Sequence, residues 1–168
     1  MEPGPRKGTT MQTTLEPLPI EVIADFTQSA PSDVRGLARS LGLPVLEEDL
    51  GTDVSGKIER DLSGGYKITV NSRHSETRRR FTIAHEIAHY VLHRSKIGDE
   101  IVDDGLYRSA RGGAIERQAN NYAASILMPA PVVGEKWRAG ARTPEALAKV
   151  FDVSAAVAEI RIKELRLS

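Results

Sequence analysis

The run His85-Glu86-Ile87-Ala88-His89 constrains this chain more than any other stretch of it. On an α-helix, residues four apart share a face with about 6 Å of rise between them, so both imidazoles can converge on one metal ion. Glu86 stands beside them. A divalent metal lowers the pKa of a water from about 15.7 towards about 7, and the neighbouring carboxylate can then take the proton as the water attacks a carbonyl. That chemistry needs a helix, and the sequence predicts one from about Ser75 to His93, with Phe81, Ala84, Ala88, Val91 and Leu92 as its apolar stripe. The plainer reading is a helix whose histidines merely pack or face water. It leaves unexplained why two of only four histidines fall at i and i+4 with the glutamate correctly between them.

A catalytic zinc site has three protein ligands and one open position. His93 follows His89 by four residues, but its backbone is about 12 Å of helical rise from that of His85, too far for all three to share one ion at ~2 Å. His93 is therefore expected to support the site from outside the ligand set. Leu92 and Ser95 occupy the glycine and third-histidine positions of HExxHxxGxxH, which excludes that arrangement. A carboxylate on the next long helix is the better third ligand. That helix is read from about Gly113 to Met128, with Ile115, Ala119, Ala123 and Ile126 on one face. Glu116 and Asn120 lie i and i+4 on it, and its alanines let two helices approach closely. Glu116 can then reach the metal while Asn120 hydrogen-bonds a ligand histidine. Asp99, Glu100, Asp103 and Asp104 compete for the role from a loop-like stretch, where solvated charges are the expectation. Two histidines and a carboxylate suit Zn2+, and Mn2+ or Fe2+ as well.

The rest of the chain frames this site. Its 168 residues suffice for one ordinary domain, and its 23 basic and 23 acidic residues cancel. Zero net charge argues against holding nucleic acid by bulk electrostatics. With no cysteine there is no disulfide scaffold, thiolate nucleophile or thiolate-bound metal. The best apolar stretch, Ala123 to Gly134, is broken by Ser125, Pro129 and Pro131 and falls short of the roughly 20 residues a membrane span needs. Arg6 and Lys7 are followed by polar residues rather than the apolar core of a secretory signal, so a cytoplasmic location is expected.

Residues 1–18 read as a disordered lead and 19–168 as a single domain. Within it, short helices are expected over Ile20 to Thr27 and after Ser32 as N-cap, the latter with Asp33 in its first turn, carrying Val34, Leu37, Ala38 and Leu41 and stopped by Gly42 and Pro44. Leu43 to Leu46 suggests a short strand. Gly56 to Asp61 and Tyr66 to Asn71 flank a Leu-Ser-Gly-Gly turn, and the alternation of the second run predicts a hairpin with one buried face. Arg78, Arg79 and Arg80, with Arg73 nearby, read as a solvated basic face or a contact surface. Positive charge near a helix N-terminus is mildly unfavourable, so some partner or local carboxylate is expected to offset it. Residues 143–168 resemble a helix-turn-helix, capped by Thr143 and Ser154. Its second helix begins Ser154, Ala155, Ala156, Val157, without Arg, Asn or Gln for base edges, so direct DNA binding is not expected.

RRRFTIAHEIAHYVLH followed by IERQANNYAASILMP resembles the ImmA/IrrE-type metallopeptidases of bacteria and their mobile elements. The YKITVN strand, the LAKVFDVS…RIKELRL tail and VRGLARSLGLPV near the start fit as well, so the likeness covers about residues 20 to 168. It implies metal ligands His85, His89 and Glu116, and Glu86 as the catalytic base. It implies a zinc-dependent endopeptidase of zincin-like α+β fold, mostly helical, with a small antiparallel β-sheet packed on the HExxH helix. Such enzymes cleave a helix-turn-helix repressor and so switch on stress-response or mobile-element genes. Many relatives have a second glutamate where this chain has Gln118, a departure that removes a rival to Glu116. The competing reading is a regulator or toxin–antitoxin partner that binds a repressor or DNA without hydrolysis. It has no use for an intact Glu86.

Overall fold

Ser75 opens the longest helix, its hydroxyl accepting the Arg78 N–H at 3.3 Å with Glu76 in the first turn. In the computed structural model, which describes residues 19–97 and 112–168, this helix (α3) runs Glu76–Leu92. It is preceded by α1 (Pro19–Phe26), α2 (Val34–Ser40) and strands β1 (Val45–Glu48), β2 (Gly56–Arg60) and β3 (Tyr66–Asn71). After it come a 3-10 turn (Arg94–Lys96), α4 (Gly112–Leu127), α5 (Ala130–Arg138), α6 (Pro144–Phe151) and α7 (Ala155–Glu164). The lead over 1–18 and the acidic stretch with Asp99, Glu100, Asp103 and Asp104 lie outside the described residues.

The architecture is α+β, and the sheet departs from expectation. It is mixed, in the order β1-β3-β2, with β2 and β3 antiparallel (Ile58 opposite Ile68) and β1 parallel to β3 (Leu46 opposite Thr69). The reason lies in β3. Its expected polar face is also covered, for Thr69 and Asn71 are as buried as Ile68 and Val70. A strand buried on both faces belongs in the middle of a sheet, where both its edges find partners. Asn71 repays its burial with bonds. Its Nδ2 donates to the carbonyls of Gly51 and Val54, both at 2.8 Å, and its Oδ1 accepts the Arg73 N–H at 3.0 Å. Those contacts shape the loop that carries the chain from β1 back to β2.

The sheet lies on α3 at close range. A Cβ on Gly56 would run into Thr82 Cγ2 and come 2.8 Å from the Thr69 carbonyl, so only glycine lets β2 approach the helix this far. On its other side α3 packs against α4, the most extensive pairing of elements among the described residues. Covered from both directions, α3 is buried all round from Thr82 to His89 rather than along one stripe, and Leu92, expected inside, is exposed. Ala84 and Ala88 of α3 and Ala119 and Ala123 of α4 have no exposed surface. Ile58, Ile68, Ile83, Ile87, Ile126, Leu127, Leu147 and Phe151 belong to the same continuous core.

One local expectation shifts and another is met. The cap of α2 is Asp33, whose carboxylate accepts the Gly36 N–H at 2.9 Å, while Ser32 donates instead to the Ile126 carbonyl at 3.1 Å. The arginines of α3 are engaged by carboxylates: Arg79 by Glu47 and Glu76, each at 2.9 Å, and Arg80 by Asp152 at 3.3 Å. Arg78 donates to the Ser55 hydroxyl at 3.0 Å and Arg73 pairs with Asp49 at 2.7 Å. The basic run thus ties strand, loop and C-terminal helices to α3. Asp152 also accepts from the Thr77 hydroxyl at 2.8 Å, and buried Arg161 of α7 donates to the Met128 carbonyl at 2.8 Å. Helices α6 and α7, capped by Thr143 and Ser154 as expected, are therefore built into the core. No helix among the described residues is long and apolar enough to cross a membrane.

Candidate metal centre

The close seam between α3 and α4 places three groups face to face. His85 and His89 project from one side of α3, with their Nε2 atoms 3.0 Å apart. Glu116, from the first half of α4, brings Oε2 to 3.2 Å from His85 Nε2 and Oε1 to 3.3 Å from His89 Nε2. One ligand atom from each lies within 4.8 Å of the others, the only such three-residue group among the described residues. Bonds of about 2.0 Å to a tetrahedral ion put neighbouring ligand atoms about 3.3 Å apart, so this spacing fits a metal with little rearrangement. The donor set fits too, because two imidazole nitrogens and one carboxylate are borderline ligands suited to zinc.

Electrostatics agree with the geometry. His89 has no exposed surface, and burial pushes its imidazole below the ordinary value, towards the neutral form that ligation needs. The facing imidazoles of His85 and then His89 hold the Glu116 carboxyl far below the usual carboxylate range. Its side chain is 40% exposed, so the cluster meets solvent on the Glu116 side while the histidines are buried. Glu86 also has no exposed surface, which keeps its carboxylate out of bulk water.

Asn120 lies one turn beyond Glu116 on α4, and its Oδ1 sits 2.9 Å from His85 Nδ1. An imidazole that donates from Nδ1 leaves its Nε2 lone pair for a metal, so this contact selects the useful tautomer. His93 stays outside the cluster, as its helical rise requires. Its Nδ1 is 3.1 Å from His89 Nδ1, and its Nε2 is 3.0 Å from Gln118 Oε1. Gln118 had been legible only as a missing carboxylate. Its place beside His93 depends on how two helices are set against each other, which residue spacing within one helix does not report.

His74, Tyr90, Tyr107 and Tyr122 are the chain's candidates for donating to a developing oxyanion, and the sequence does not choose among them. The Tyr90 ring packs edge-on against Tyr66 at 5.4 Å and lies under the Arg94 guanidinium at 3.9 Å. His74 sits in the turn before α3, its N–H donating to the Asn71 carbonyl at 3.2 Å, with burial and nearby Arg78 lowering its pKa. Burial raises the Tyr122 hydroxyl on α4. Tyr107 falls outside the described residues.

Comparison with known proteins identifies the family. Residues 38–163 match a peptidase family model described as the IrrE N-terminal-like domain. The chain is 37% identical over 87 residues to the radiation response metalloprotease IrrE of Deinococcus radiodurans, across 49% of this chain and 25% of that protein. It is 35% identical over 104 residues to the radiation response metalloprotease IrrE of Deinococcus deserti, across 58% of this chain and 36% of that protein. The chain therefore matches about a quarter to a third of the length of these relatives. A solved structure, a Mycobacterium tuberculosis transcriptional regulator, superposes with a TM-score of 0.57 at 21% identity, over 87% of this chain and 46% of that one, which is a likeness of fold. The family match spans most of the chain and encloses His85, Glu86, His89, Glu116 and Asn120, and the chain belongs to the peptidase family of IrrE N-terminal-like domains.

Proposed function

We propose that this protein is a zinc-dependent metallo-endopeptidase whose substrate is a helix-turn-helix DNA-binding repressor. The observation that carries the hydrolytic reading is the convergence of His85, His89 and Glu116, with ligand atoms 3.0–3.3 Å apart beside the buried Glu86. His85, His89 and Glu116 would hold the ion, and Asn120 would keep His85 in the ligating tautomer. A divalent cation held there supplies Lewis acidity towards a water and towards the scissile carbonyl. Glu86 takes the proton of the attacking water and returns it to the leaving amine, the two halves of general base and acid catalysis by one carboxylate. Its exclusion from bulk water strengthens that exchange, because a desolvated carboxylate competes better for a proton. The half-exposed Glu116 side gives a peptide a route to the cluster without unfolding either helix.

The repressor as substrate is supported by the sequence resemblance, and a cytoplasmic location accords with it. It also accords with the zero net charge and with the start of α7, where Ser154, Ala155 and Ala156 are exposed and offer nothing to base edges. The chain would then act on the DNA-binding protein rather than on DNA. The test is metal content and cleavage on one preparation. The zinc-loaded chain, with Glu86→Gln as control, is incubated with a purified helix-turn-helix repressor from the same source. About one zinc per chain, and a cut that Glu86→Gln abolishes, is the expected result. A cut of equal rate with Glu86→Gln, or binding without cleavage in the loaded wild type, would overturn the hydrolytic reading.

A further inference from the structure

The two histidines of the cluster are held from behind in different ways, and the difference assigns a part to Gln118. To offer a lone pair at Nε2, each histidine must carry its proton on Nδ1 and donate it to an acceptor. His85 has a simple acceptor, Asn120 Oδ1 at 2.9 Å. His89 faces another imidazole, His93 Nδ1 at 3.1 Å, and an imidazole nitrogen accepts in one tautomer and donates in the other. If His93 carried its proton on Nδ1, it would donate to His89. The His89 proton would then sit on Nε2, pointing at His85 and Glu116, and would block the ligand position. What decides is the far end of His93. Its Nε2 meets Gln118 Oε1 at 3.0 Å, so the proton of His93 belongs on Nε2 and its Nδ1 is left as an acceptor. His89 is fully buried and His93 nearly so, which shields the contact between the two imidazoles from bulk water.

We propose that Gln118 is a positioning residue for the metal, acting through His93 to hold His89 in the tautomer that can ligate. This rests on the reading of His85, His89 and Glu116 as a metal site. Gln118 itself lines an open surface groove of about 460 Å³ with Leu92, Asn121, Tyr122, Ser125 and Glu164, so its side chain can be changed without disturbing the core. The chain of contacts runs from that groove to the cluster through two imidazoles.

The test measures zinc affinity of the full chain by competition with a chelator at fixed pH. The variants are Gln118→Met, His93→Asn and the double substitution. Methionine keeps the length and apolar stem of Gln118 but removes the acceptor. Asparagine places an oxygen where His93 Nδ1 stands, and so accepts from His89 without any help from Gln118. Removing such a supporting contact weakens metal binding by about 10-fold or more. Gln118→Met is expected to do so, His93→Asn to stay close to wild type, and Gln118→Met to have no further effect in the His93→Asn background. Nitrogen NMR of the zinc-free chain should show the Nδ1-protonated form of His89 depleted in Gln118→Met and restored in the double variant. If wild type binds zinc and Gln118→Met binds it within about 2-fold, the proposal fails while the metal site stands. If Gln118→Met weakens binding equally in both backgrounds, Gln118 acts by some route other than His93, and the proposal fails again. Wild type that binds no zinc overturns the metal reading, and this inference with it.

Discussion

Replacing Glu116 with alanine should separate what this side chain does for the fold from what it does for the metal. In the metal-free protein its contacts are with His85 and His89 at 3.2 and 3.3 Å, and its side chain is 40% exposed. Partly solvated pairs of this kind contribute about 0–1 kcal/mol, so the metal-free variant should melt within a few degrees of wild type. A metal that binds only the folded chain adds RT ln(1 + [L]/Kd), about 2.7 kcal/mol at a free concentration 100 times Kd. For a domain of this size each kcal/mol moves the midpoint by about 2–4 °C, so zinc should raise the wild-type Tm by about 5–11 °C. Losing one of three ligands, and with it about 100-fold in affinity, leaves only about 0.4 kcal/mol at the same zinc concentration, a shift of about 1 °C. Thermal unfolding of both proteins, with chelator and with zinc, is the assay. An equal zinc shift in Glu116→Ala would show that the ligand lies elsewhere. A metal-free variant melting ten degrees lower would show that Glu116 is chiefly structural.

Three further outcomes follow from the same structure. Glu86→Gln should keep zinc affinity within a few-fold of wild type and lower peptide cleavage by about 10²–10⁴-fold, the usual contribution of a general base, as measured on a single metal-loaded preparation. Phe151→Ala, at a fully buried position where α6 meets the core, should lower stability by about 3–5 kcal/mol in urea titration; a cost below about 1 kcal/mol would mean that α6 and α7 are merely appended. Glu59 pairs with Lys57 at 2.9 Å and Lys67 at 3.0 Å on the β2–β3 face, and these two lysines hold its carboxyl below the ordinary 4.5. A carboxyl depressed in the folded state stabilises fully above its unfolded value and loses that contribution as pH falls through the folded value. Glu59→Gln should therefore cost no more than about 1 kcal/mol at neutral pH and nothing once the pH lies well below 4, seen as converging denaturation midpoints.

Relations within one helix were legible because the helix itself imposes them. The i, i+4 spacing gave the shared face of His85 and His89, and the length of a turn put His93 out of reach. Caps at Thr143 and Ser154 were readable for the same reason, since a hydroxyl three residues before a free N–H is a local matter. Burial by distant elements was not. The alternation in Tyr66 to Asn71 suggested one buried face, yet Asn71 is bonded to the carbonyls of Gly51 and Val54 and becomes a core residue. Leu92 continues the apolar pattern of α3 but lies past the point where sheet and α4 enclose it. Ser32, read as a cap, bonds to Ile126 across 94 residues of sequence.

The site divides along the same line. Its α3 half is fixed by local geometry, but its α4 half depends on how two helices are set against each other, and small residues do the setting. Ala84 and Ala88 of α3 and Ala119 and Ala123 of α4 have no exposed surface, and small side chains of this kind allow two helices to approach closely. At that distance a glutamate is long enough to reach both imidazoles and an asparagine one turn later reaches the rear of His85. Glu116 and Asn120 were recoverable from sequence because they stand i, i+4 to each other and so had to face α3 together or not at all. Gln118, two residues from each, points about 200° around the helix from Glu116 and has no such partner on α4. Its contact with His93 exists because α3 extends one turn beyond the ligands and brings a third imidazole round to meet it. The metal ligands come from the part of the seam where spacing is informative, and the group proposed to orient them comes from the part where only packing is.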